Sequence, residues 1–174
     1  GALILAPAGE VDGMIKGGGQ ERRRRSGTEN VGAIVGFGEA AKRISKTLDG
    51  ATRLRSLRDE LELRVLATVP EAIIYGARVN RLPNTSNIGV VGVSAETQVI
   101  AMDMAGIAIS AGSACSSGKV TSSHVLRAMG LSEVAAQSAI RISLCPETTK
   151  SDIDHFLNVW LSHIKAVKDR TKAA

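Results

Sequence analysis

One cysteine of this chain stands in "SAGSACSSGKVTSSH", Ser110 to His124, a segment built almost entirely from small residues. Nothing bulky is there to bury Cys115, although cysteine is usually a buried residue. The segment therefore reads as a mobile loop that carries a thiol. The thiolate is the reactive form of that group, and an exposed loop suits a nucleophile that travels between two partners. The competing reading is a small hydrophobe in a turn. His124 lies nearby at the start of the next helix, but closeness in sequence does not make a Cys–His pair. Two cysteines and three histidines show no metal-binding spacing, so no metal site is expected.

Arg141 is the second candidate. In "AIRISLC", Ile140, Ile142 and Leu144 fall on one side of a strand, and Arg141, Ser143 and Cys145 on the other. An unpaired buried charge is costly, so an arginine there needs a partner. Its planar fork suits two-point contact with a carboxylate. Capture of a substrate carboxylate, an internal salt bridge and a snorkelling edge residue all fit the pattern. Cys145, just before Pro146, reads as structural.

The third candidate is "KGGGQERRRRSGTEN", Lys16 to Asn30. Its glycines allow close backbone approach, and Ser26, Gly27 and Thr28 precede a long helix whose N-terminus would favour phosphate. It is neither a Walker A loop nor a G-x-G-x-x-G fingerprint. A plain helix cap with a solvated basic face is the alternative.

These residues need elements to hold them. "GALILAPAG" and "DGMIKGGGQE" read as short strands. From Val31 onward, Ile34, Phe37, Ala41, Ile44, Leu48, Leu54, Leu57, Leu61 and Val65 recur at threes and fours, which predicts a long helix. A break is expected near Asp49-Gly50 and an end by Pro70. Lys42, Arg43, Lys46, Arg53, Arg58, Glu60 and Glu62 are assigned to its opposite, solvated face. Beyond Pro70 strands and helices alternate. "AIIYG", "TSNIGVVGV", "IAISAG" and "AIRISLCP" read as strands. "SAETQVIAMDMAG" reads as a helix with Ser94 as its N-cap and Gly106 as its stop. "SHVLRAMG", "SEVAAQS" and a closing helix follow, the last opened by a Thr149–Asp152 capping box. This order predicts a layered α/β or α+β domain.

The totals agree. With 174 residues, 44% hydrophobic and only 2% aromatic, the chain can build an aliphatic core. The formal charge of +5 is concentrated in Arg22 to Arg25. So few aromatic side chains argue against single-stranded nucleic acid as a partner. Two cysteines make no disulfide framework, "GALILA" is too short to span a bilayer, and a reducing, cytoplasmic compartment is the expectation. A start on apolar residues without Met reads as the inside of a domain.

Taken together, "GGGQERRRRSGTENV", "LPNTSNI", "SAGSACSSGKVTSSHVLRAMGL" and "AIRISL" resemble the C-terminal half of pyridoxal-phosphate-dependent cysteine desulfurases, in the class V aminotransferase group. The "G-S-A-C-S-S" loop resembles the subclass that supplies iron–sulfur cluster assembly. The resemblance implies an α/β architecture, the C-terminal part of a fold-type I PLP-dependent transferase. Residues 1–30 would be the terminal part of the large cofactor domain. Residues 31–69 would be the connecting helix, and 70–174 the small α+β domain with the cysteine loop.

It further implies that Cys115 is the nucleophile and sulfur carrier and that Arg141 holds the substrate carboxylate. Thr28 would contact the phosphate of pyridoxal 5'-phosphate, across the interface of a homodimer. L-cysteine would be the substrate and L-alanine the product. An iron–sulfur scaffold or other acceptor protein would take the sulfur, with no nucleic acid or membrane involved. The family's Schiff-base lysine is expected upstream of Gly1, and Lys16 matches no lysine motif. The chain alone is therefore expected to be inactive with L-cysteine and pyridoxal phosphate. A non-catalytic persulfide carrier or docking module, and a selenocysteine lyase-like enzyme, are the alternative expectations.

Overall fold

The computed structural model describes residues 1–7, 9–112 and 122–173, with the backbone alone at 45–47. It divides into two compact units, Gly1–Asp49 and Gly50–Ala174.

In the first unit the two strands expected before residue 20 do not form. A strand persists only through ladder hydrogen bonds to a neighbour, and no described residue of this unit supplies one. Leu3 and Ile4 are accordingly 74% and 92% exposed. The glycine segment instead closes onto Ser26, whose N–H donates to Ile15 O at 3.1 Å and whose hydroxyl donates to Gly18 O at 2.9 Å. A 3-10 turn, Gln20–Arg23, follows. Helix α1, Val31–Asp49, is the first half of the expected long helix. Its cap is Asn30, whose Oδ1 accepts from Ala33 N at 3.1 Å. Val31, Ile34, Phe37, Ile44 and Leu48 on α1 are exposed.

The second unit opens at Gly50, where the helix breaks as anticipated, with α2 spanning Ala51–Thr68. Then come β1 (Ile73–Ile74), β2 (Thr85–Gly89), α3 (Ala95–Met104), β3 (Ser110–Ala111), α4 (His124–Ala128), α5 (Glu133–Gln137), β4 (Ala139–Ser143) and α6 (Lys150–Ala173). The sheet runs β1-β2-β4-β3 with every neighbour antiparallel. One face, bearing Ile88, Ile140 and Ile142, packs against Leu61, Val65, Met102, Phe156, Leu157 and Trp160 of the three long helices. Burying a side chain of this size contributes about 1.5–3 kcal/mol, and this aliphatic layer is the core.

Two polar networks lie inside that layer. The Trp160 indole donates to Gln98 Oε1 at 2.8 Å, and Gln98 Nε2 donates to the carbonyls of Val93 and Ser138 at 3.2 and 3.1 Å. This ties α6 to α3 and to the entry of β4. The second corrects the sequence reading of α2. Arg58 and Glu62, assigned above to a solvated face, are only 6% and 8% exposed. The chain between β1 and β2 returns over them. Arg58 Nη1 donates to Leu82 O at 2.6 Å, and Glu62 receives Arg81 Nη1 and Nη2 at 2.6 and 2.5 Å and Ser86 Oγ at 2.6 Å. The hydrogen bonding that Arg81 donates to Glu62 holds its guanidinium above its ordinary pKa.

The caps follow local chemistry. Ser94 is the N-cap of α3 as expected, but its side chain makes no cap hydrogen bond; its carbonyl accepts from Gln98 N at 3.2 Å and Thr97 Oγ1 at 2.9 Å. Gly106 ends α3 in the left-handed region, φ +75°, while Ile107 N–H reaches back to Met102 O at 2.9 Å, a Schellman closure. Thr149 and Asp152 form the expected capping box, with Thr149 N and Oγ1 donating to Asp152 Oδ2 at 2.8 and 2.9 Å and Asp152 N donating to Thr149 Oγ1 at 3.3 Å. Those donors hold the Asp152 carboxyl below the usual aspartate range.

Candidate active site

The face of the sheet turned away from the long helices carries the polar residues. Strand β4 places Arg141 and Ser143 there because Ile140 and Ile142 point into the core. Register then sets the neighbours: Asn87 on β2 and Ser110 on β3 both lie directly opposite Arg141. Asn87, Arg141 and Ser110 therefore form one row across three strands. Opposed residues of antiparallel strands bring their Cβ atoms to about 4.5–5.5 Å.

Arg141 is exposed, and its Nη2 donates to Ser110 Oγ at 3.3 Å. Among the described residues no carboxylate pairs with it. Of the three readings the sequence left open, the internal salt bridge is therefore not made. The edge reading also fails, because β4 lies between β2 and β3. Arg141 is a guanidinium in mid-sheet whose one hydrogen bond among the described residues is that to Ser110.

One end of this face is roofed. Tyr75, just past β1, packs with Leu126, Leu131, Ala136 and Ala139, so α4 and α5 sit over it. Its ring lies on Gly89, where an added Cβ would come within 2.7 Å of the ring and hydroxyl. Burial raises the Tyr75 pKa. Tyr75 Oη and Asn87 Oδ1 are both buried without a hydrogen-bond partner among the described residues.

Cys115 lies outside the described residues. The chain enters that segment from β3 through Gly112 and leaves it at Ser122. Ser123 then caps α4, its Oγ accepting from Leu126 N at 3.4 Å. His124 is the exposed first residue of α4. Cys145 sits in an exposed turn, its N–H donating to Thr148 Oγ1 at 3.0 Å. Among the described residues no group of three or more His, Cys, Asp or Glu is placed to hold a metal.

Thr28 belongs to the first unit and is exposed. Asn30, not Thr28, caps α1. Arg25 Nη1 gathers the carbonyls of Gly27 and Thr28 at 3.0 and 3.1 Å. Lys16 lines a cleft of about 410 Å³ with Gly17, Gly18, Gly19, Arg23 and Ser26. The cleft offers glycine backbone and two cations with no acidic residue in its lining, which fits the phosphate of a cofactor; Thr28 is not among its lining residues.

Residues 14–156 match the model of the class-V aminotransferases, and the chain belongs to that family. Within it, the chain is similar to the cysteine desulfurase of Gluconacetobacter diazotrophicus, 45% identical over 97% of this chain and 42% of the relative. It is 42% identical to the cysteine desulfurase NifS of Azotobacter vinelandii over 90% of this chain and 39% of that protein. Among solved structures, a NifS-like protein from Rickettsia africae superposes with a TM-score of 0.71 at 36% identity, covering 92% of this chain and 41% of the other. The chain thus spans about two fifths of the length of the curated relatives it matches. The mixed helix-and-sheet architecture is that of part of an α/β transferase of this family, as the sequence resemblance implied. Among the described residues no helix is long and apolar enough to cross a membrane.

Asn87 and Tyr75 are the residues that sequence reasoning missed. Asn87 lies in the quoted "LPNTSNI", but only the β2–β4 register places it beside Arg141.

Proposed function

We propose that this chain carries the carboxylate-binding and sulfur-accepting parts of a cysteine desulfurase. The observation that carries the reading is Arg141, an arginine in mid-sheet with no acidic partner among the described residues, on the strand adjoining the one that leads into the cysteine segment. Its fork accepts the α-carboxylate of L-cysteine and so fixes the amino acid by the end that does not react. Pyridoxal phosphate, when bound, supplies an electron sink next to the substrate Cα. Thr28, which is exposed, donates its hydroxyl to the cofactor phosphate, across a homodimer interface as the family resemblance implies.

The Cys115 thiolate attacks the substrate sulfur. A sulfur–sulfur bond forms, the substrate carbon–sulfur bond breaks, and its electron pair stays on the carbon side until a proton replaces the sulfur. The balance is L-cysteine plus thiol to L-alanine plus persulfide, with no outside oxidant or reductant. The terminal sulfur then passes to an iron–sulfur scaffold or other acceptor protein in a reducing, cytoplasmic compartment.

The test is Cys115→Ser in the full-length gene product. Alanine release from L-cysteine is expected to fall at least about a thousandfold, because a hydroxyl is a far weaker nucleophile toward sulfur at neutral pH. Alanine formation within a few-fold of the parent would refute the role.

A further inference from the structure

Arg141 is flanked asymmetrically. On the β3 side it has the Ser110 hydroxyl at 3.3 Å. On the β2 side stands Asn87, directly opposite in register, with a buried amide oxygen that has no partner among the described residues. A buried acceptor without a donor is uncommon in a folded protein and calls for an explanation. The candidate donor in the row is the guanidinium, which has five N–H groups and gives one to Ser110. The Tyr75 hydroxyl, also buried and without a partner among the described residues, lies on the same face next to Asn87, and the Tyr75 backbone N–H donates to Asn87 O at 2.9 Å. These unmet polar atoms lie on the face where the ligand carboxylate would dock, while the opposite face of the sheet is a packed aliphatic core.

We propose that Asn87 is a positioning residue for Arg141: its Oδ1 takes one guanidinium N–H when substrate binds, so that Asn87 and Ser110 hold the fork from both sides and aim its remaining edge at the α-carboxylate. The proposal rests on the reading of Arg141 given above and adds a residue to it. Asn87 suits this task because it is neutral. An aspartate in its place would also accept from the fork, but would neutralise the charge the substrate needs. A side chain acting through another has a recognisable signature: its effect disappears when the residue it acts through is removed.

The experiment is a double-mutant cycle in the full-length gene product, with KM and kcat for L-cysteine as readouts. Asn87→Ala is expected to raise KM about tenfold and leave kcat little changed, consistent with one lost charge-assisted hydrogen bond. In an Arg141→Ala background the same substitution is expected to change KM by less than about twofold. Asn87→Asp, which preserves shape, is expected to raise KM more than Asn87→Ala does, because it places a competing carboxylate beside the fork. Suppose Arg141→Ala raises KM but Asn87→Ala is silent, or raises KM equally in both backgrounds. Then the positioning role is wrong and the Arg141 reading survives. If Arg141→Ala itself leaves KM unchanged, both fall.

Discussion

Replacing Arg141 with alanine in the full-length gene product is expected to raise KM for L-cysteine about a hundredfold. The reasoning starts from the two parallel bonds a guanidinium makes to a carboxylate. Losing them removes about 3 kcal/mol, and each 1.4 kcal/mol is a factor of about ten. The carboxylate does not react, so the loss falls on binding before it falls on kcat. Arg141→Lys keeps the charge but not the fork, and an intermediate rise is expected. Folding is not at stake, because Arg141 is exposed and gives up only the 3.3 Å bond to Ser110. The parent and Arg141→Ala should therefore unfold at the same denaturant concentration. A KM within twofold of the parent would show that the arginine serves something other than the substrate.

The second large effect is structural. Glu62→Ala should destabilise the second unit by about 3–5 kcal/mol, the cost of stranding one partner of a buried ion pair. Glu62 is 8% exposed and, among the described residues, is the only carboxylate bonded to Arg81, with Ser86 Oγ sharing the oxygen that takes Arg81 Nη1. Without it, Arg81 keeps a long 3.5 Å contact to Thr85 O, and the Ser86 hydroxyl, 2% exposed, is left unpaired. Hydrogen exchange resolved by peptide is the measurement, with the amides of α2 and β2 expected to exchange at least about a hundredfold faster. The double variant Glu62→Met with Arg81→Met should recover much of the loss, since a buried pair can be replaced by packed apolar residues. Unchanged protection in Glu62→Ala would mean the network contributes little.

These two residues also show what the sequence could tell. Arg141 was legible because the alternation in "AIRIS" puts a lone charge on the side of the strand opposite Ile140 and Ile142. The α1–α2 break was legible because a glycine follows an aspartate in the middle of an otherwise continuous stripe. Glu62 was not. Its helical position is a solvated one by periodicity, and it becomes buried only because residues 76–84 return over it, which local pattern does not encode. Asn87 was missed for a related reason: facing Arg141 depends on the register of strands more than fifty residues apart. The strands expected in residues 1–19 had the right composition, but strand structure belongs to a pair of segments, and no described partner is there. Ser94 was legible as the N-cap of α3, though its carbonyl, not its hydroxyl, takes the bonds from the helix.

The most direct test of the account is the mass of the peptide containing Cys115, taken after the full-length gene product has met L-cysteine without an acceptor and has been alkylated at once. The account predicts a peptide one sulfur atom heavier at Cys115, formed in proportion to the first alanine released. It also predicts that the Cys145 peptide stays unchanged. Alanine released while Cys115 keeps its original mass, or with the extra sulfur on another residue, would contradict it.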